Sequence, residues 1–330
     1  MTTVIKVGGA RAVDPAGALS DVATLVEGEQ SEPSEQSSGE QSDPRDNEDG
    51  DSEAESASDN SSGHGPREDV VLVHGGSTAV DDTLERLGIE PEYVETPSGV
   101  VGRFTDAETM EVFEMVFGHL NTQLVAGLQS QGVDAVGLNG VDGKLLYGPR
   151  KSAVRVVEDG KKKIKRGDHS GTIKDVNTDL LDSLLDGGYV PVAAPPMAGS
   201  EARSASENSS GDDEEPRERI VPVNTDADRT AAAIAAALDA RLVLLTDVAG
   251  VYEDPDDPET LIETVETGEE WQALEAAAEG FMSRKIMAAE EALDGGAPEV
   301  VVADANADTP VTDAVSGGGT HMFQEAIEEL

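Results

Sequence analysis

Val70-Val71-Leu72-Val73-His74-Gly75-Gly76-Ser77 reads as an almost unbroken β-branched run ending on two glycines, and Val4-Ile5-Lys6-Val7-Gly8-Gly9-Ala10 repeats the same grammar at the start of the chain. Runs of this kind return at Val133 to Leu138, Tyr189 to Ala194, Leu242 to Asp247 and Glu299 to Ala303, with helix-like segments between them. Strands apolar on both faces and separated by helices predict a mainly parallel sheet covered on both sides, an α/β three-layer αβα sandwich. Thr105 to Ser130 is helical by pattern, with Val112, Met115, Val116, His119, Leu120, Gln123 and Leu124 near i, i+3, i+4 and i+7 spacing. One hairpin breaks the alternation: Val154 to Val157 and Lys161 to Lys165 flank Asp159-Gly160, where glycine supplies the positive φ of a tight turn. Thr225-Asp226-Ala227-Asp228 precedes the Ala-rich run Thr230 to Leu238 and reads as a capped helix start.

The composition excludes several functions. In 330 residues, 68 acidic side chains face 23 basic ones, a formal charge of −45. Sequence-independent binding to nucleic acid or to an anionic membrane needs the opposite sign. No run of about 18 apolar residues is long enough to span a membrane, and the N-terminus has neither the basic start nor the apolar stretch of a signal peptide. A cytoplasmic protein is expected. Cysteine is absent, which removes disulfides, thiol catalysis and cysteine zinc sites; the five histidines show no metal spacing, and no metal-ligating residues are expected.

Two acidic, Ser/Gly-rich segments, 28–69 and 199–219, lack the apolar residues of a core and read as disordered insertions. The first falls inside 1–198, and the second separates 1–198 from 220–330. Acid also dominates outside them, at Glu108 to Glu114, Asp254 to Glu259 and Glu325 to Glu329. Such a charge opposes compaction until salt near 1 M shortens the screening length to roughly 3 Å. A halophilic origin is therefore expected. Against this background Lys144, Arg150, Lys151, Arg155, Lys161, Lys162, Lys163, Lys165, Arg166 and Lys174 form a basic island over 144–174. It reads either as a solvated hairpin paired with the acidic surface or as a docking site for an acidic partner.

Two parallel strands that each deliver a glycine pair at their carboxyl ends place bare amides where open α/β sheets bind ligands, and Lys6 adds a cation. Val4 to Ala10 taken alone is equally a strand ending in a turn. Thr246-Asp247-Val248-Ala249-Gly250-Val251-Tyr252 follows an apolar strand and suits a ribose and base, or an ordinary turn. Gly280-Phe281-Met282-Ser283-Arg284-Lys285 stands before the helix Ile286 to Leu293, setting Lys285 near a helix N-terminus, where a cation is disfavoured unless an anion lies in front of it.

Taken in order, these four pieces together with Asn224-Thr225-Asp226-Ala227-Asp228-Arg229 resemble the amino acid kinase family, most closely its acetylglutamate kinase branch, over nearly everything except the two insertions. The resemblance implies an acceptor-binding N-terminal lobe and an ATP-binding C-terminal lobe. It implies that Lys6 and Lys285 stabilise the transition state while Asp226 holds them in position. It also implies that Gly8, Gly9, Gly75 and Gly76 cradle the phosphoryl group and substrate, and that Thr246, Asp247, Gly250 and Tyr252 line the nucleotide site. Arg103 in Gly102-Arg103-Phe104-Thr105 matches the arginine that grips the substrate α-carboxylate, and Asn224 a substrate-contacting asparagine; without the motif, Arg103 reads as a surface ion pair and Asp226 as a helix cap. Pro222 departs from the branch, which usually carries another asparagine there. Mg2+ is expected to arrive on the ATP phosphates.

The basic island is similar to the matching region of kinases acting on glutamate or 2-aminoadipate attached to a small acidic amino-group carrier protein, in arginine or lysine biosynthesis. The expected activity is therefore phosphorylation of a carrier-linked side-chain carboxylate to an acyl phosphate. Free N-acetylglutamate is the alternative acceptor, and a non-catalytic amino acid or nucleotide sensor a third reading. A homodimer is expected.

Overall fold

A computed structural model describes residues 1–8, 15–27, 68–97, 99, 101–158, 160–201, 218–278 and 280–328. The chain opens with β1 (Thr2–Val7), α1 (Pro15–Glu27), β2 (Asp69–His74), α2 (Ser77–Leu87), the short pair β3 (Tyr93–Glu95) and β4 (Val101–Arg103), and the long helix α3 (Ala107–Ser130). Next come β5 (Ala135–Gly140), β6 (Leu146–Glu158), β7 (Lys161–Gly171), β8 (Asp175–Val176), α4 (Thr178–Asp186), β9 (Val190–Glu201) and β10 (Arg219–Val223). The last part holds α5 (Ala227–Ala237), β11 (Arg241–Thr246), β12 (Thr264–Val265), α6 (Gly268–Ala277), α7 (Phe281–Asp294), β13 (Glu299–Asp304), α8 (Pro310–Val315), β14 (Thr320–Phe323) and α9 (Gln324–Glu328).

One twelve-stranded sheet runs through both halves in the order β12-β14-β13-β11-β1-β2-β9-β6-β7, with β5 and β10 also on β9 and β8 on β6. Its centre is parallel: β1 pairs with β2 and β11, β11 with β13, and β2 with β9. The two-residue period of a strand sends alternate side chains to opposite layers. Val4, Val71, Val73, Leu242, Leu244, Val300 and Val302 enter the layer that contains α5 and α7. Ile5, Val7, Val70, Leu72, Val243, Leu245, Val301 and Ala303 enter the other, with α1, α8 and the end of α3.

Both glycine-ended strands and the hairpin form where the sequence places them, with Gly160 at φ 71° between paired Glu158 and Lys161. The buried stripe of α3 differs from the one its spacing suggests. Met110, Val112, Phe113, Val116, Phe117, Leu124 and Leu128 are inside, while Met115 is 60% exposed and His119 and Gln123 face solvent. Two rings decide this. Phe113 and Phe117 stack at 4.2 Å, and Phe117 stacks on His74 at 5.7 Å; burying two large aromatic surfaces outweighs burying a methionine.

Segment 28–67 and segment 202–217 lie outside the described residues. The regular structure reaches further than the composition suggests: Asp69 already pairs with Thr2, Glu68 accepts a hydrogen bond from Thr3, and 199–201 pair with 219–221 in the β9–β10 ladder. Among the described residues, no helix is long and apolar enough to cross a membrane.

Candidate active site

Val4 and Lys6 share a face of β1, so the apolar alternation that buries Val4 also carries the Lys6 ammonium toward α5 and α7. Lys6 stands in register with Val73 on β2 and Leu244 on β11. One residue past β1 lies Gly8, and the Gly75 amide donates to the Val7 carbonyl at 3.3 Å, so the two glycine turns lie side by side at the carboxyl edge of the sheet. Gly9 lies outside the described residues. Gly76 caps α2 with no side-chain hydrogen bond, and a Cβ there would meet Leu120 Cδ1 at 2.7 Å. Its α2 N-terminus thus keeps free amides beside Gly75.

Lys6 and Lys285 converge, although they are separated by nearly the whole chain. Lys6 Nζ stands 2.6 Å from Asp228 Oδ1, and Lys285 Nζ 3.3 Å from Asp228 Oδ2. The resemblance assigns the holding role to Asp226, but the carboxylate that contacts both lysines belongs to Asp228. Asp226 is the N-cap of α5, its Oδ1 accepting from the Asp228 and Arg229 amides at 2.9 and 3.1 Å. A carboxylate oxygen occupied with two backbone amides is committed to the helix end. Asp228 sits inside the first turn, on the stripe that continues through the buried residues Ala231, Ala232 and Ala235. That i, i+3, i+4, i+7 relation is present in the sequence and marks Asp228 as the inward carboxylate.

Lys285 also differs in placement. Its helix, α7, begins at Phe281, so the lysine is in the second turn, facing α5, and not ahead of the helix. Burial, then the Lys6 charge, depress its pKa, opposed by Asp228. For Asp228, burial alone raises the pKa, but Lys6 and Lys285 together outweigh it and hold the carboxyl below its ordinary range. Two buried ammonium groups against one contacting carboxylate leave positive charge that a buried anion would neutralise.

On the other flank, Arg103 at the end of β4 reaches the start of α2: its guanidinium donates to the Ser77 carbonyl at 2.9 Å and to Ser77 Oγ at 3.0 Å, and pairs with Asp81 at 2.7 Å. Tyr93 lies under it, 5.6 Å to the ring centroid. Arg103 is therefore fixed beside Gly76, with Nε buried and lacking a hydrogen-bond partner. Asn224 donates from Nδ2 to Thr105 Oγ1 at 2.9 Å, and its backbone brackets β7: Asn224 N donates to the His169 carbonyl and Gly171 N to the Asn224 carbonyl. Arg103, Thr105 and Asn224 thus form one flank. Pro222, two residues earlier, lines a cavity of ≈ 440 Å³ with Glu114, Asn121, Asn139 and Pro196.

Thr246 ends β11 two residues beyond the register partner of Lys6. Its hydroxyl donates to Asp247 at 3.2 Å and its carbonyl accepts from Ala305. Gly250 packs so closely that a Cβ would lie 2.5 Å from Thr320 Oγ1, and Tyr252 bridges Leu261. These four residues occupy the carboxyl edge on the β13 side of Lys6, opposite Arg103 and Asn224.

Two supporting groups add to the set that the sequence singles out. His74 is buried with its pKa lowered by desolvation to about 4, so the ring is neutral at pH 7; Nδ1 faces the Gly75 carbonyl and Nε2 faces the Asn121 amide at 3.3 Å. Buried Asp168 accepts from the Thr105 amide at 3.4 Å and from the Ser170 hydroxyl, tying the end of β7 to the Arg103 segment.

Residues 43–304 match the model of the amino acid kinase family. The chain is 42% identical over 255 residues to the LysW-aminoadipate kinase of Thermus thermophilus, covering 76% of this chain and 88% of that protein. It is 44% identical over 239 residues to the acetylglutamate kinase of Methanopyrus kandleri, covering 71% and 85%. The structure of Giardia carbamate kinase superposes with a TM-score of 0.56 at 14% identity, over 98% of both chains, a likeness of fold.

Proposed function

Because the chain belongs to the amino acid kinase family, we propose that it moves the γ-phosphoryl group of ATP onto the side-chain carboxylate of glutamate or 2-aminoadipate carried on a small acidic protein. The observation that carries this reading is the pair Lys6 and Lys285 on one shared carboxylate at the carboxyl edge of a parallel sheet. A carboxylate oxygen attacks the γ-phosphorus, the bond from that phosphorus to the bridging oxygen breaks, and ADP leaves with the electron pair. No proton needs to move. What the reaction needs is cations where negative charge gathers.

Lys6 and Lys285 supply them, and Asp228 fixes their spacing so that neither ammonium must reorganise during transfer. Gly8, Gly75 and Gly76 offer backbone amides to the phosphoryl group, and Arg103 offers the acceptor α-carboxylate a planar fork. Asn224 completes the acceptor side. Thr246, Asp247, Gly250 and Tyr252 receive the nucleotide, so the acceptor half is drawn from 1–198 with Asn224 added to it, and the nucleotide half from 220–330. Mg2+ travels on the ATP phosphates, which it neutralises in part.

Carrier linkage is supported by the basic island and by the Thermus relative, whose name sets aminoadipate on LysW. The Methanopyrus relative favours free N-acetylglutamate as a second reading. Purified enzyme offered ATP with each acceptor decides: acyl phosphate formed on the carrier-linked amino acid is expected, and turnover on acetylglutamate alone overturns the choice. ATP binding with no turnover of either acceptor, unchanged by Lys285→Met, would mark a sensor instead. The −45 charge supports a high-salt cytoplasm, with a melting temperature rising from low to multimolar KCl. A homodimer in sedimentation completes the proposal.

A further inference from the structure

The β6–β7 hairpin has two unlike faces. Directly opposed residues of an antiparallel ladder share a face, so the pairs Val154↔Lys165, Val156↔Lys163 and Glu158↔Lys161 lie on one side and Ala153↔Arg166, Arg155↔Ile164 and Val157↔Lys162 on the other. The first face rests on the protein: Val156 is 1% exposed and packs with Val94 and Phe104. Two of its three lysines are already paired. Lys165 pairs with Glu92 and lies 4.2 Å from the Phe104 ring centroid, and Lys163 pairs with Glu158 at 2.7 Å.

The second face points to solvent. Ile164 is 66% exposed, and Arg155, Lys162 and Arg166 are exposed around it. Among the described residues no carboxylate pairs with any of those three cations. An exposed apolar side chain ringed by cations that no described carboxylate neutralises offers an acidic partner both a complementary charge and an apolar contact. β7 then runs from Arg166 to Ser170, which bridges Asn224, a span of about 13 Å at strand rise. A protein seated on this face therefore lies within reach of the acceptor half of the site.

We propose that the outer face of the hairpin, Arg155, Lys162 and Arg166 around Ile164, is the surface on which the acidic carrier docks, and that the inner-face cations take no part. This rests on the carrier-linked reading above. Carboxylates of the carrier meet the three cations and an apolar side chain covers Ile164. At multimolar salt the apolar contact survives screening while long-range steering does not.

The experiment is steady-state kinetics with carrier-linked substrate, comparing the outer-face triple variant Arg155→Glu/Lys162→Glu/Arg166→Glu and the single variant Ile164→Ser with the inner-face double variant Lys161→Glu/Lys163→Glu. Unfolding midpoints are measured alongside. Expected is a rise of about tenfold or more in carrier KM for each outer-face variant, with the ATP KM and kcat unchanged, and less than about twofold for the inner-face variant. Equal rises in both sets, or none in the outer-face set while the unaltered enzyme turns over carrier-linked substrate, overturn the docking face alone. A lowered unfolding midpoint without a KM change assigns the face to the chain's own acidic segments and overturns it too. No turnover of carrier-linked substrate by the unaltered enzyme overturns the function, and the docking with it.

Discussion

The Lys6–Lys285 cluster and the outer face of the β6–β7 hairpin both gather cations in a strongly acidic chain, and they do so by opposite means. In the cluster, Lys6 and Asp228 side chains are 7% and 13% exposed, a carboxylate is held by two lysines, and three different elements must fold to assemble it. On the outer face of the hairpin the cations Arg155, Lys162 and Arg166 are local in sequence, solvated and without a described partner. Buried charges depend on each partner, because a missing one leaves a desolvated ion. Exposed charges contribute little to the fold, so they are free to serve an encounter. The difference teaches where a charge specifies geometry and where it only specifies sign.

The comparison breaks most sharply at Lys285. Lys285→Met should lower kcat by about 10³-fold with little change in ATP affinity, measured by single-turnover kinetics and nucleotide binding. Asp228→Asn should lower kcat by about 10²-fold or more, whereas Asp226→Asn, which preserves a capping oxygen, should leave it within a few-fold. A reversed ranking would restore Asp226 as the holding carboxylate. The Asp228→Asn enzyme should also lose its remaining activity at a lower pH on the alkaline side, because removing a carboxylate that raises the Lys285 pKa lets the ammonium deprotonate sooner.

Next in size is a pH effect. His74 titrates near 4 when folded against 6.5 when unfolded, so the unfolded chain binds more protons between those values. Stability is full above pH 6.5 and falls by about 3 kcal/mol as pH drops toward the folded value. Urea unfolding across that window should show a shallower slope in His74→Gln than in the unaltered protein. Asp226→Ala should cost about 1 kcal/mol through the α5 cap. Smallest of all, Lys163→Ala should leave the unfolding midpoint unmoved, since its pair with Glu158 is exposed on both sides.

Much of the architecture is legible from the chain because it is carried by local pattern. Strands at Val4 and Val70, the Asp159-Gly160 turn and the capped start of α5 each need only a short window. The short strands β3, β8, β12 and β14 carry two to four residues each and leave no comparable pattern. Spacing alone misplaces the α3 stripe because the aromatic packing that sets it involves His74, at the end of β2. Asp226 and Asp228 stand two residues apart, and a cap and an ion-pair partner ask for the same side chain. Only the helical phase separates them, through Ala231, Ala232 and Ala235. Which hairpin cations are committed is invisible in the sequence, since Glu92 and Phe104 approach Lys165 from more than fifty residues away.

The β9–β10 ladder has a practical corollary. Because Glu201 is paired with Arg219, the stretch between them begins and ends on neighbouring backbones whose separation the sheet already dictates. Closing a longer or shorter connection there changes the free energy only with the logarithm of its length. That junction is therefore a natural place to graft a fluorescent reporter or an affinity handle without unpairing β9 from β10.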